Sequence, residues 1–317
     1  MKLSAIVPVW NGRELLARLL TTLEAQRLAP SELLIVDNGS TDGAPEMARS
    51  RGARVIAMGR NAGFAAAVNR GIREAAHPLV AILNSDVELA PDYLERLAAA
   101  GAPFATGKIL SQSGLLDGTF DLTGRGGTTW RCGAGLPDGP PFDQAREIYS
   151  PPWTAVLYRA EVFQQVGLLE ESFESYLEDA DFGLRCAALG ISGRYVPEAR
   201  AVHVGSASLG RWHAETVRRM SRNQLLIVAR HWAGGDWWRI VVAQALWGAV
   251  ALRHKCGMAW ARGKWQGICQ FKAASRKNVP RSAAIIKKIL RDNERFISRQ
   301  STQTYWKLYF SLSGGAK

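Results

Sequence analysis

Residues Glu32–Gly43 read ELLIVDNGSTDG, a short apolar run that stops in Asp-Asn-Gly-Ser and hands over to a helix start. An apolar run of this length closed by turn residues predicts a buried strand over Glu32–Val36. Ser40 or Thr41 then caps a helix running through Ser50. The same alternation continues on either side. Leu3–Val9 reads as a strand, and Gly12–Gln26 as a helix with Leu15, Leu16, Leu19, Leu20 and Leu23 at helical spacing. Val55–Ala57 is a third strand, Gly63–Ala76 a third helix, and Leu79–Leu83 a fourth strand that runs straight into Asn84-Ser85-Asp86. Strands alternating with helices predict right-handed crossovers and a mostly parallel sheet. Sheets of that kind bind ligands beyond the carboxyl ends of their strands. Asp37, Asn61 and Asp86 all stand just past predicted strand ends on that edge.

From Phe104 to Trp153 the text turns rich in Gly and Pro with little period, which reads as a long, partly mobile loop of the kind that is either functional or disordered. Pattern resumes at Ala155–Arg159 and Glu161–Gly167. An acidic stretch, Glu170–Asp181, then leads into a helix stopped by Gly190. These residues make an α/β domain over 1–232, and a different composition begins beyond it. The net charge of +12 is concentrated there: from Asp236 onward there are 16 Lys and Arg against 3 Asp and Glu. Ile240–Leu252 is apolar but for Gln244. It falls short of the roughly 20 residues a bilayer span needs and suits a helix lying in a membrane interface. Trp237, Trp238, Trp260, Trp265, Tyr305 and Trp306 lie among the cations. Residues 233–317 therefore read as a basic, Trp-rich helical region that associates with an anionic membrane surface. Aromatic–basic interleaving also suits single-stranded nucleic acid. Cys132, Cys186, Cys256 and Cys269 lack CxxC spacing, which argues against a zinc site or disulfide framework and suits a reducing compartment. The N-terminus, MKLSAIVPVWNG, reads as a first strand and not a signal peptide.

Each chemical candidate has a plain structural reading beside the functional one. Asp37 begins an Asx-turn and helix cap, or accepts from a base or ribose while the turn amides face phosphate. Asn61, Gly63 and Asn69 belong to an Ala-rich helix start, or to a place where a ligand comes close to backbone. Asp86 caps the next helix, or binds a hard divalent cation together with a diphosphate; Glu88 is a weaker candidate. Glu178, Asp179 and Asp181 complement a helix macrodipole, or crowd one another so that one carboxyl becomes a base near neutrality. His203 is structural, or a metal ligand or phosphate donor.

Taken in order, IVPVWNG, LLIVDNGSTDG, NAGFAAAVNRG, LNSDVEL, FESYLEDADFGLRCAALG and HVGSAS resemble the family 2 glycosyltransferases of the GT-A fold. Within them the resemblance is to the rhamnosyltransferase-like branch that builds bacterial surface polysaccharide. It extends to the neighbourhood of Trp232. The resemblance implies that Pro8 and Asp37 hold the nucleotide base and ribose, and that Asn61, Gly63 and Phe64 face the donor. Asn84 and Asp86 would be the ends of a DxD-like motif, with Asp86 bridging Mg²⁺ or Mn²⁺ to the diphosphate and His203 contacting metal or diphosphate. Asp179 would be the catalytic base, with Glu178 positioning the acceptor. The implied donor is a nucleotide sugar, dTDP-rhamnose first and UDP-hexoses next. The implied acceptor is a polyprenyl-diphosphate-linked saccharide at the cytoplasmic face of the plasma membrane. Asn84 departs from the usual acidic residue. The chain lacks the QxxRW text of processive synthases, so one or few sugars per acceptor are expected.

Three other classes fit these residues less well. A dinucleotide-binding enzyme would show GxGxxG where this chain reads VPVWNGREL, and a sugar nucleotidyltransferase would show a Gly-rich basic loop after the first strand. An inactive transferase-like module that binds membrane or nucleic acid is opposed by the presence of Asp86, Asp179 and His203.

Overall fold

The computed structural model describes residues 1–204, 212–232, 234–276 and 282–315. The apolar runs become strands. In chain order the first half comprises β1 (Leu3–Val9), α1 (Arg13–Glu24), β2 (Glu32–Asp37), α2 (Ala44–Ser50), β3 (Arg54–Ala57), α3 (Phe64–Glu74), β4 (Leu79–Leu83), β5 (Val87–Leu89), α4 (Tyr93–Ala99), β6 (Phe104–Ser111) and β7 (Leu116–Gly118). There follow β8 (Asp121–Thr123), β9 (Thr129–Arg131), β10 (Arg146–Ile148), β11 (Ala155–Arg159), α5 (Ala160–Val166), α6 (Glu178–Ala188) and β12 (Gly193–His203). The C-terminal helices are α7 (Ala214–His231), α8 (Trp237–Arg253), α9 (Gly257–Arg276), α10 (Ala283–Gln300) and α11 (Thr304–Leu312).

The chain divides into two units. The first comprises Met1–Phe120, Gly133–Glu174 and Ile191–Ser208, and the second Asp121–Cys132, Ser175–Gly190 and Leu209–Lys317. The first unit is a sheet in the order β10-β12-β6-β11-β4-β1-β2-β3, with β5 on β12 and β7 on β6. The parallel sheet expected from sequence is its β3-β2-β1-β4 half. Beyond β4 the sheet turns mixed, because β11 enters antiparallel to both β4 and β6. β1 is buried along its whole length. Above it α1 lays down Leu16, Leu19, Leu20 and Leu23, the i, i+3, i+4, i+7 stripe of a core-facing helix. Pro8 is tolerated in this central strand for a local reason. Leu3 and Val9 turn their carbonyls to the β2 side, so Pro8 faces the β4 side, where pairing has already stopped at Ile6.

The reading of Phe104–Trp153 as one long loop is corrected. The segment contains β6 and four strands of three residues each, too short and glycine-broken for period-2 alternation to show. β6 pairs with β12 in parallel, and the register jumps between Val196 and Arg200. Gly107 lies beside that irregularity and donates its N–H to the buried Tyr93 hydroxyl, which in turn donates to the Ala155 carbonyl. The jump brings the end of β12 antiparallel to β5, with His203 opposite Val87. His203 thus terminates an 11-residue strand. Residues 205–211, which carry the rest of the HVGSAS text, lie outside the described residues.

The second unit is built on the β8–β9 hairpin, α6 and the C-terminal helices. Glu294 of α10 is fully buried. It accepts from the Arg125 backbone N–H at 2.8 Å, from Arg125 Nε at 2.8 Å and from the Tyr309 hydroxyl at 2.7 Å. Asp236 takes the other side of the Arg125 guanidinium at 3.2 Å. Gln244, the interruption in the apolar run of α8, is buried and donates to the Gly126 carbonyl at the hairpin tip, 2.8 Å away. Gly263 and Gly267 let α9 approach α7 closely; a Cβ at Gly263 would lie 2.2 Å from the Arg218 carbonyl oxygen. Between the two glycines the buried Lys264 ammonium donates to the Ser221 carbonyl and Gln224. Within this unit the C-terminal helices are therefore packed supports of the hairpin. No helix among the described residues is long and apolar enough to cross a membrane.

Breaking a buried ion pair on one side leaves the other charge unmet, at roughly 3–5 kcal/mol. Glu294→Ala is expected to lower unfolding stability by about that amount, measured as a fall in the urea midpoint; a midpoint within error of wild type would refute the role given to this pair.

Candidate active site

The first unit gathers its candidates along one sheet edge. Val9 pairs with Asp37, and continuing the β1–β4 register places Asn84 level with Pro8. Asp37, Pro8 and Asn84 therefore lie at the carboxyl ends of three adjacent strands, within one residue of a common level and spaced by the roughly 4.8 Å of a ladder. Asp37 is buried and makes the Asx-turn of its structural reading: Oδ1 accepts from the Ser40 N–H at 2.9 Å. Its Oδ2 has no protein partner among the described residues. The Asn38 amide, missed in the sequence, holds the neighbouring turn by donating to the Gly63 carbonyl and accepting from the Ala62 N–H. Asn61 closes the same turn through Gly63 N–H, at 3.0 Å. Gly63 has φ +88°, and a Cβ there would lie 2.7 Å from the Glu174 carbonyl oxygen. That carbonyl accepts from Ala65 N–H in the first turn of α3, whose first residue is Phe64.

Further along, β5 and β12 bring together the ends of two distant motifs. His203 Nε2 lies 3.1 Å from Asp86 Oδ1, and Nδ1 lies 3.0 Å from Asp117 Oδ2. Burial alone would lower the imidazole's pKa, but hydrogen bonds to Asp117 and Asp86 outweigh it and push it up to about 9. Asp117 sits on β7, inside the supposed loop, where only the alternation in LLDGTFDL hints at a strand. Asn84 donates its backbone N–H to the Thr154 carbonyl, and Glu88 is engaged by Arg18.

The second unit holds the acidic cluster. Tyr176 and Leu177 have φ of +73° and +67°, a backbone conformation that non-glycine residues adopt only when their surroundings enforce it. The enforcing group is Asn223 of α7. Its buried amide donates to the carbonyls of Ser175, at 3.0 Å, and Tyr176, at 2.7 Å. α6 begins immediately afterwards with Glu178 and Asp179. Asp179 Oδ1 accepts from the Ala180 N–H at 2.8 Å, and Oδ2 lies 3.4 Å from Arg131 Nη2. The same guanidinium grips Asp121 with Nε at 3.2 Å and Nη2 at 3.1 Å. Burial raises the Asp179 carboxyl, the Asp121 charge raises it further, Arg131 restrains it, and it settles at about 7. Glu178 is pushed well up by burial and then by Asp179. Its Oε2 is buried without a hydrogen-bond partner among the described residues.

Asp181 does not join its neighbours. Two residues along a helix is about 200° of turn, so it points away, into Arg185, Arg230 and His231 at 2.6–3.0 Å. Burial opposes ionisation there, but the Arg185 and Arg230 guanidiniums and the hydrogen bond to His231 hold its carboxyl far below the usual range. Asp121, Arg131 and Asn223 escape sequence reading because the Asp179 carboxyl and the Ser175–Tyr176 turn that they serve lie 47 to 58 residues away in the chain.

The family model described as glycosyl transferase family 2 matches residues 4–101. The chain is 30% identical over 271 residues to the N-acetylglucosaminyl-diphospho-decaprenol L-rhamnosyltransferase of Mycobacterium tuberculosis, covering 75% of this chain and 87% of that protein. It is 29% identical over 229 residues to the O-antigen biosynthesis protein RfbC of Myxococcus xanthus, covering 65% of this chain and 18% of that one. In fold it resembles GalNAc-T7, solved with UDP, GalNAc and Mn²⁺, at TM-score 0.62 and 13% identity, over 87% of this chain and 58% of that one. It also resembles the mannosyltransferase PcManGT of Pyrobaculum calidifontis, solved with GDP-Man and Mn²⁺, at TM-score 0.52 and 14% identity, over 99% of this chain and 84% of that one.

A raised carboxyl pKa means that the folded chain keeps a proton the unfolded chain has released. Asp179 therefore favours folding at acid pH, and that contribution is lost as pH rises from the ordinary carboxylate range through about 7. Carboxyl ¹³C titration by NMR should place the Asp179 midpoint near 7. Asp121→Asn removes the adjacent like charge and should move it down toward the ordinary range, whereas Arg131→Met should move it up. An unchanged midpoint in both variants would overturn this account.

Proposed function

The chain belongs to glycosyl transferase family 2, and from that premise we propose that it is an inverting transferase of a sugar from a nucleotide donor to a polyprenyl-diphosphate-linked saccharide, in bacterial surface polysaccharide synthesis. The observation that carries the reading is the Asp179 carboxyl: half-buried, braced by Arg131 at the start of α6, and raised to about 7, where a general base works best. Rhamnose from dTDP-rhamnose is the first donor to consider, because the mycobacterial relative is an L-rhamnosyltransferase acting on a diphospho-decaprenol-linked sugar. UDP-hexoses come next.

In the proposed reaction Asp179 takes the proton of an acceptor hydroxyl, and that oxygen attacks the anomeric carbon. The bond to the diphosphate breaks on the opposite face, the nucleoside diphosphate leaves with the electron pair, and the configuration inverts. Glu178, with its unpartnered buried oxygen, positions an acceptor hydroxyl. Asp37 and Pro8 receive the base and ribose at the strand ends, and Asn61, Gly63 and Phe64 face the donor with Asn84.

Asp86 and His203 fit a divalent cation in the chemistry of their donors, one carboxylate oxygen and one imidazole nitrogen 3.1 Å apart. Asp117 behind Nδ1 would fix the tautomer once a cation displaced the Nε2 proton, in the manner of a carboxylate–histidine–metal triad. No group of three or more His, Cys, Asp or Glu among the described residues is arranged to hold a metal. An ion held by one or two side chains would be completed by substrate phosphate. When bound, Mg²⁺ or Mn²⁺ neutralises charge on the departing diphosphate.

The second unit also presents exposed apolar groups: Trp237, Trp238 and Val241 on α8, Met258, Trp265 and Ile268 on α9, and Leu308 and Leu312 on α11. Together with the cation excess they support peripheral attachment to the anionic cytoplasmic face of the plasma membrane.

Nucleoside diphosphate release is the test, with dTDP-rhamnose and UDP-hexoses, Mg²⁺ or Mn²⁺, and a lipid-linked saccharide extract as acceptor. One donor should be turned over, with kcat rising as pH passes about 7. Asp179→Asn should reduce kcat by about 10²–10⁴-fold, and Asp86→Ala should reduce it as well. Full turnover by Asp179→Asn would remove the base from this scheme. In flotation assays the protein should rise with vesicles containing phosphatidylglycerol and much less with phosphatidylcholine alone; capture by a single-stranded oligonucleotide in place of vesicles would favour nucleic acid as the partner.

A further inference from the structure

A cavity in the second unit takes no part in the chemistry above. Measuring about 460 Å³ with its open mouth, it lies between the β8–β9 turn, α6, α7, α10 and the segment leading into α8. Its walls are apolar: Leu184, Ile227, Val228, Trp232 and Leu290. Gly127 shapes the floor. At φ +80° it brings the hairpin so close to α7 that a Cβ would lie 2.5 Å from Val228 Cγ2.

Most polar groups lining the cavity are already committed within the protein. Arg125 is held by Glu294 and Asp236, His231 by Asp181, and the Trp232 indole N–H by the Gly235 carbonyl. Lys287 differs. It is half-buried, has no ion-pair partner among the described residues, and brings its ammonium within 3.8 Å of where a Gly235 Cβ would stand. What remains for a ligand is thus an apolar wall and one cation. A hydrocarbon chain needs no hydrogen bonds, and an anionic headgroup needs the cation. That combination selects an amphipathic phosphate ester and does not suit a nucleotide or a peptide, whose polar edges would go unmet.

The position of the cavity is measured along two elements. On β8, Asp121 belongs to the Asp179 cluster and Thr123 lines the cavity, two residues or about 7 Å away. On α6, Asp179 and the lining residue Leu184 are five residues apart, about 7.5 Å along the axis and roughly 140° round it. The rim at Gly234-Gly235-Asp236 continues into the exposed Trp237 and Trp238, so an apolar chain leaving the cavity meets more apolar surface.

We infer that this cavity seats the isoprenoid diphosphate of the acceptor, with the phosphate at Lys287 and the first isoprene units against Leu184, Val228 and Leu290. The inference rests on the lipid-linked acceptor proposed above. The chain has no role in forming this ester; it receives the polyprenyl-diphosphate sugar from an enzyme that transfers a sugar phosphate onto a polyprenyl phosphate.

The test is calorimetric binding of farnesyl diphosphate to the full chain, with inorganic diphosphate and farnesol as separate arms. Farnesyl diphosphate should bind more tightly than either part alone. Leu290→Trp, which fills the cavity, should weaken it about tenfold or more, and Lys287→Ala, at a half-buried position with little risk to folding, several-fold. Asp86→Ala should leave this binding intact, which separates the cavity from the donor's diphosphate site. Equal binding by wild type, Leu290→Trp and Lys287→Ala would overturn the inference, as would inorganic diphosphate binding as tightly as the farnesyl ester. If no nucleotide sugar is turned over yet farnesyl diphosphate still binds in a Leu290-dependent way, the reaction proposed above fails and the cavity stands. Turnover with binding indifferent to both residues sinks the cavity alone.

Discussion

A guanidinium withdrawn from water must be met on every side, and in the second unit that requirement organises the structure. Arg125 at the hairpin tip is answered by the fully buried Glu294 of α10 and by Asp236 at the start of α8. Tyr309 of α11 donates to the same glutamate. Three elements remote in sequence are thereby tied to a hairpin of three-residue strands, which is marginally stable by itself. The hairpin carries Asp121 and Arg131, and these set the charge environment of Asp179. A carboxylate far from the C-terminal helices in the chain thus depends on them for its chemistry.

The first unit meets a different constraint, that of register. A ladder permits few ways to align its strand ends. Once Val9 pairs with Asp37 and Ile6 with Ile82, the residues just beyond the strands lie in one row. The register jump between Val196 and Arg200 lets the last residues of β12 reach β5, and so puts His203 beside Asp86. The imidazole lies between two carboxylates because one hairpin, β6–β7, adds Asp117 on its other side. Nothing in this row requires a long or flexible loop.

Strain in the second unit has an identifiable support. Tyr176 and Leu177 occupy left-handed backbone that neither side chain favours, and the two carbonyls on Asn223 hold the turn in place. A single buried amide therefore fixes the direction in which α6 starts and where Glu178 and Asp179 emerge. The sequence shows this residue only as one polar position in an otherwise amphipathic helix.

Legibility in the sequence followed the range of the interaction concerned. The strands β1 to β4, their helices, and the carboxylates at their ends were readable because each is specified by a local period and a local turn. The apolar α8 was legible as too short to span a bilayer, but the purpose of Gln244 was not, since its partner Gly126 lies 118 residues earlier. The short strands between Phe104 and Trp153 were read as loop because three residues cannot display a period. Crowding of Glu178, Asp179 and Asp181 is visible as spacing, yet only packing sends Asp181 to Arg185, Arg230 and His231 and leaves the other two to repel each other. By itself the sequence determined the α/β alternation and the kinds of group offered at the strand ends and at the start of α6. Tertiary structure alone decided which charges meet, because burial and Coulomb energy depend on distances that local pattern does not encode.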